Sequence, residues 1–250
     1  NIMELTIILV VLGLIFIVAC VVGFIRWNAR RITFWFSVKK LEINKSIEEY
    51  TELLLEENGL FDVKVKKCGF FSSLFVGNTY SLRKKTIRLS WFVARRSSPT
   101  TLATACQLVG LAKLHAEGVK GLKSIELFRW LSWLPVLLVP LAVIGLVVDF
   151  IAFEKVGMYT LIFSAIGLVL TLFTFILACV ASRKTIKSYN EGEKIILGLG
   201  ILNQEEENKI KKLYSAWKKL VIINVIYNSF ATIFFILRVL FSSLKLFGRK

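Results

Sequence analysis

The chain reads as an α-helical integral membrane protein: four transmembrane helices with a small cytoplasmic α+β domain. Three observations predict this. Hydrophobic residues make up 56% of the sequence, well above an ordinary globular composition. Charged residues nevertheless make up 20%, so apolar spans must alternate with charged soluble segments. Finally, Leu5 to Ile25, Trp130 to Val148, Val156 to Val180 and Leu220 to Leu237 contain no Asp, Glu, Lys or Arg. Each is close to the ~17–25 residues that cross hydrocarbon as a helix.

The first stretch is expected to be a membrane anchor (residues 1–31) rather than a cleaved leader, because its apolar run exceeds a leader's short core. Residues 32–128 then form the main soluble domain and 129–180 a transmembrane hairpin. Residues 181–219 form a polar helical segment, and 220–250 a last span with its tail. The stretch from Arg26 to Arg129 holds 19 of the 33 Lys and Arg, and 181–219 holds 9. The positive-inside rule puts both on the cytoplasmic side, leaving both termini and the short 149–155 link outside. The expected location is the inner (plasma) membrane, as a multi-pass protein. Trp27, Trp130, Trp133 and Trp217 are placed to act as interfacial anchors.

The net charge of +16 follows from that topology and from anionic headgroups, so membrane lipids are the expected partners. No helix-turn-helix, zinc-finger or RNA-binding signature accompanies it, and no nucleic-acid partner is expected. The four cysteines, Cys20, Cys68, Cys106 and Cys179, lack C-x-x-C spacing and give neither a structural zinc site nor a disulfide framework.

Within the soluble part, Ile32 to Val38 is an aromatic run expected along the membrane surface. Ser46 and Glu49 make a capping box, and Ile47, Tyr50, Leu53 and Leu54 recur at helical spacing. Asn58-Gly59 stops that helix. Phe61 to Val65 and Thr86 to Ser90 read as strands. The Gly-, Ser-, Asn- and Phe-rich stretch Cys68 to Tyr80 between them suggests a hairpin or a membrane-touching loop. Pro99 and Thr100 open a helix whose apolar residues run Leu102, Ala105, Val109 and Ala112.

Residues 103 to 115 of that helix read Ala-Thr-Ala-Cys-Gln-Leu-Val-Gly-Leu-Ala-Lys-Leu-His. This line resembles the A-x-H-E-V-G-H-A-x-x-H helix of the bacterial membrane neutral zinc metallopeptidases of the YugP type. Glu57 to Val63 is similar to the family's N-G-L-x-D-V segment. Asn78 to Ser90 has the outline of its D-H-Y-D-P…R-L-S segment. The resemblance covers nearly the whole chain from about residue 46 and implies a zincin-like, peptidase-derived soluble domain. It also places the lost chemistry. Aligned on Val109 and Gly110, Gln107 stands at the first metal-binding His, Leu108 at the catalytic Glu and Leu111 at the second His. Asn78-Thr79 replace an Asp-His pair, and the third ligand, a Glu, falls near Thr185.

In such a motif two imidazoles at i and i+4 share a helix face, while the Glu activates a metal-bound water. Gln and Leu can do neither, and His115 is the only histidine. His115 lies too far along the helix from Cys106 to share an ion with it, and reads as a polar residue favoured near a helix C-terminus. No catalytic residue, metal or cofactor is therefore expected.

The expected function is that of a catalytically inactive metallopeptidase homologue, acting as a binding or regulatory subunit of a membrane protein complex or oligomer. Gln107, Leu108, Leu111, His115, Asn78 and Thr79 would then form the partner face, with collapse of the leucines into a core as the alternative. Two other functions stand beside this one: an active zinc metallopeptidase whose ligands lie elsewhere, and a pore or transporter component. Against the pore, the four spans hold no ionisable residue of the kind that marks ion pathways.

Overall fold

The computed structural model describes residues 2–41, 45–151 and 157–247. It is mostly helical, with one small sheet, and divides into two compact units. One unit comprises Asn1–Gly23, Ser124–Ser182 and Ile222–Lys250; the other comprises Phe24–Lys123 and Arg183–Val221. Three helices, α1 (Ile2–Val38), α8 (Gly157–Gly198) and α9 (Gln204–Phe247), contribute residues to both.

The first unit also holds α6 (Lys123–Leu131), from Ser124 on, and α7 (Leu134–Ile151). Lys123–Ala142, Leu161–Gly198 and Gln204–Leu240 are long and apolar enough to cross a membrane. The expected first span coincides with α1, but its side chains at 2–9 lie outside the described residues. The expected 149–155 link also lies partly outside them. At 1.5 Å per residue the 42 residues of α8 extend about 63 Å, twice the hydrocarbon thickness. Its charge-free part, ending at Ser182, is the part suited to lipid.

Burial in this unit is inverted relative to a water-soluble protein. On α8 the buried positions are Ser164, Gly167, Thr171, Thr174, Leu177, Ala178 and Ala181. Ile162, Phe163, Ile166, Val169, Phe173 and Ile176 are exposed. On α9, Asn228, Ala231, Thr232, Phe235 and Arg238 are buried, while Ile222, Ile226, Phe230, Ile233 and Ile236 are exposed. Small and polar residues packed inside, with branched apolar residues outside, are what helix association in lipid selects. This inversion, together with the length and apolarity of the helices, makes the chain a multi-pass membrane protein.

Phe234 and Phe235 pack with Ala142 of α7, flanked by Leu138, Val139 and Leu168. Gly167 is required there because a Cβ would run into the Phe235 ring. Arg238, expected to begin the exposed tail, is instead buried, and its Nε donates to Ser164 Oγ at 2.9 Å. The apolar window ends at Leu237, but α9 does not. The very next residue brings a guanidinium against α8. Asn228 is buried as well, and its side-chain amide donates to the Asn224 carbonyl at 2.7 Å.

The second unit is built on ordinary principles. In α2 (Ile47–Glu57) the Ser46 hydroxyl accepts from Glu49 N, and the Glu49 carboxylate accepts from Ser46 N. This reciprocal cap stabilises a helix by about 1 kcal/mol. The helix ends at Asn58, with Gly59 at φ +70° and Leu60 N bonded to the Leu55 carbonyl. That closing turn continues through Val63, so the strand expected at Phe61 to Val65 forms later, as β1 (Lys64–Lys67).

Together with β2 (Thr79–Ser81) and β3 (Thr86–Leu89), β1 makes a sheet of order β1-β3-β2. Strand β1 runs parallel to β3, in register Lys64 to Thr86, and β2 runs antiparallel to β3. Lysines along β1 discourage further edge pairing. The expected hairpin at Cys68 to Tyr80 is instead α3 (Phe70–Val76), entered from Gly69 and left at Gly77 with φ +62°. Serines 72 and 73 stabilise its first turn by donating to the Gly69 carbonyl. A short α4 (Trp91–Arg95) and the long α5 (Pro99–Ala116) follow β3.

The aromatic run Ile32 to Val38, expected to lie apart along the membrane surface, is the continuation of α1. Thr33 ties it down: its carbonyl accepts from Thr100 Oγ1 and its hydroxyl accepts from Trp217 Nε1. Trp217, expected as an interfacial anchor, is half-buried and stacks with Tyr189 and Tyr214.

Candidate functional site

Helix α5 carries the degenerate motif, and its start is well defined. Ser98 and Thr101 form a reciprocal cap, Pro99 occupies the first turn, and Thr101 Oγ1 also donates to the Arg96 carbonyl at 2.6 Å. Beyond the cap the helix is buried nearly all round: Leu102, Ala103, Ala105, Cys106, Leu108, Val109, Leu111, Ala112 and Leu114 are all inside. Tyr214 closes one side by donating to the Ala103 carbonyl at 2.8 Å.

On the other side α5 meets the polar part of α8 backbone to backbone. A Cβ added at Gly110 would lie 2.8 Å from Gly192 N and 3.0 Å from Ser188 O. One added at Gly192 would lie 2.7 Å from Gln107 Cα. Only glycine at both positions allows this approach.

The motif positions sit at that crossing. Gln107 is half-buried, and its Nε2 donates to Ser188 Oγ at 3.3 Å; Ser188 in turn donates to the Thr185 carbonyl at 2.8 Å. Thus α8 does face the first-ligand position, but through Ser188, one turn beyond Thr185. Leu108 is 2% exposed and Leu111 5%. The leucines, expected either on a partner face or collapsed into a core, are buried within this chain. Cys106 is fully buried, and burial pushes its thiol up, so no thiolate is available at neutral pH.

His115 lies eight residues beyond Gln107, about 12 Å in helical rise. Its Nδ1 is 2.8 Å from Tyr80 Oη, with the two rings edge to face. Asn78 Oδ1 accepts from Ser90 N at 2.8 Å, and Thr79 pairs with Arg88 in the sheet. Four of the seven sequence-selected residues thus fall into three separate contacts: Gln107 and Thr185 meet through Ser188, His115 joins Tyr80, and Asn78 joins Ser90. Leu108 and Leu111 are buried, and Thr79 lies in the sheet.

Residues missed from sequence were Ser188, Gly192 and Tyr80. The small pair Ser188 and Gly192 at i and i+4 was the available signal, because that spacing lets helices approach closely. What stays open is a depression of about 550 Å³ between the end of α5 and α8, lined by Leu114, Glu117, Val119, Lys187, Asn190 and Lys194 among others. Glu191 beside it binds both Lys194 (2.7 Å) and Lys113 (3.3 Å). Those two hydrogen bonds, Lys194 first, hold its carboxyl below the usual glutamate range against the opposing effect of partial burial.

With this geometry in view, comparison with known protein families is decisive. The family described as "Putative neutral zinc metallopeptidase" matches residues 7–242. The chain belongs to this family. No curated protein and no solved structure matches it.

The residues present do not fit the family's zinc. Gln107, Leu108 and Leu111 stand at the motif positions, the only histidine is engaged with Tyr80, and glycine-to-glycine packing fills the space beside them. Among the described residues, no three His, Cys, Asp or Glu side chains gather as a metal site.

Proposed function

We propose that this family member is a pseudopeptidase, retaining the peptidase scaffold as a binding or regulatory subunit of a membrane protein complex. The observation that carries the proposal is the α5–α8 crossing. The positions that should hold two imidazoles and a carboxylate hold a half-buried amide bonded to Ser188 and two core leucines. Catalytic zinc needs about three protein ligands and an open position, and this donor set supplies neither. Binding would use the open depression at the end of α5, where Glu117 and Lys187 can meet a polypeptide of mixed charge. Elemental analysis of the purified protein is expected to find substoichiometric zinc. About one zinc per chain, lost only on chelation, would overturn the proposal.

The second unit is assigned to the cytoplasmic side of the plasma membrane. Its two chain segments carry most of the Lys and Arg, and they pack into one compact body, which requires a shared side. Single cysteines at Glu57→Cys and Asn203→Cys should resist an impermeant thiol reagent in intact cells and react after lysis. Reaction at either position in intact cells would reverse the assignment.

A further inference from the structure

From Val63 to Ala116 the chain contains no Asp or Glu but ten Lys and Arg. The sheet topology gathers part of that charge around exposed aromatic rings. Because β1 and β3 are parallel, both leave the same end of the sheet, β1 toward Gly69 and α3, β3 toward Ser90 and α4. Ser73 joins the two short helices by accepting from Trp91 N at 2.7 Å.

Phe70 consequently contacts Phe71, Trp91 and Phe92 edge to face, with ring centroids 5.5 to 5.8 Å apart. Far from being covered, Phe71 is 77% exposed, Phe70 45% and Phe92 43%. Arg95 lies over the Trp91 ring at 4.5 Å, and Arg96 and Lys67 are also exposed. Phenylalanines left in water are unfavourable unless something covers them.

We propose that this aromatic knob docks on an anionic lipid surface, its rings entering the headgroup boundary and its basic rim binding lipid phosphates. The chemistry on both sides corresponds. Phe and Trp rings partition into the headgroup boundary, and basic residues in an acid-free stretch of sequence favour anionic lipids. A chain with membrane-crossing helices always has a bilayer within reach. The acid-free sequence is also what a negatively charged surface would select.

The test uses the full-length protein with Cys20→Ala, Cys68→Ala and Cys179→Ala, an environment-sensitive fluorophore at Ser72→Cys, and a control label at Glu57→Cys. Vesicles contain phosphatidylcholine alone or with phosphatidylglycerol. With phosphatidylglycerol, the Ser72 label should shift to the blue and be quenched by a nitroxide-bearing lipid, while the Glu57 label stays in water. Phe71→Ser, or Lys67→Gln with Arg95→Gln and Arg96→Gln, should abolish both signals, and high salt should weaken them. A Ser72 label open to iodide in both lipids would overturn the proposal. So would a label shielded from iodide and from lipid nitroxide alike, which would mean that a polypeptide covers the knob. Quenching that ignores both phosphatidylglycerol and the basic substitutions would overturn it as well.

Discussion

Each of the two units contains a glycine-dependent helix contact, and the contacts differ in what presses on the glycine. At Gly192 the opposing atoms are backbone, Gln107 Cα and N; at Gly167 the opposing group is the Phe235 ring. The surroundings differ in the same sense. In the second unit the fully buried side chains include Leu102, Leu108, Val109 and Ile196, an apolar interior beneath a charged surface. In the first, Ser164, Thr171, Asn228 and Arg238 are buried along with Phe234 and Phe235, an interior that mixes polar groups with aromatic rings beneath an apolar surface. Water drives apolar side chains together in one unit. Lipid provides no such drive, so close approach and hydrogen bonding hold the other.

The largest expected effect breaks the apolar interior. Leu111→Asp places an unpaired charge in the core of the second unit and should cost roughly 3–5 kcal/mol. Thermal unfolding in mild detergent should show that unit lost. If Leu111 faced a partner instead, the protein would stay folded and lose only the partner.

Next in size is the glycine pair itself. Gly192→Ala should destabilise by about 1–3 kcal/mol, and truncating Gln107→Ala should not rescue it, because the clash is with backbone. Gly167→Ala should cost less and be relieved by Phe235→Leu, because there the obstacle is a side chain. A double-mutant cycle at each crossing checks the contrast. Rescue at Gly192 or its failure at Gly167 would show that the two crossings are not of different kinds.

The smallest effect concerns Glu191. Its carboxyl is held below the ordinary range in the folded protein, so its contribution exists above the unfolded glutamate pKa. It disappears as pH falls through the lower folded value. Glu191→Gln should therefore lower the unfolding midpoint slightly near neutral pH and make no difference in strong acid. A larger loss in acid would contradict the ion pairs with Lys113 and Lys194.

Several elements were legible because their causes are local. The Ser46–Glu49 box, the Asn58-Gly59 stop and the Pro99 start use only neighbouring residues, and all three appear where expected. Family membership was legible in the outline of residues 103 to 115 and the flanking segments, since spacing survives after its chemistry is gone. The Cys68 to Tyr80 stretch was not legible: Gly, Ser and Phe suit a loop or a two-turn helix alike, and the link from Ser73 to Trp91 helps to fix the latter.

The sequence by itself determined the apolar spans, the charge asymmetry and the presence of Gln107, Leu108 and Leu111 where the family resemblance puts His, Glu and His. These depend on residue identity along the chain alone. Tertiary structure decided that Leu108 and Leu111 are core, that Ser188 rather than Thr185 meets Gln107, and that Arg238 turns inward to Ser164. Helical periodicity fixes which residues share a face but not which helix covers that face. Here one neighbour of α5 lies about eighty residues away on α8, at a separation set by two glycines whose lack of a side chain takes effect only when the helices meet.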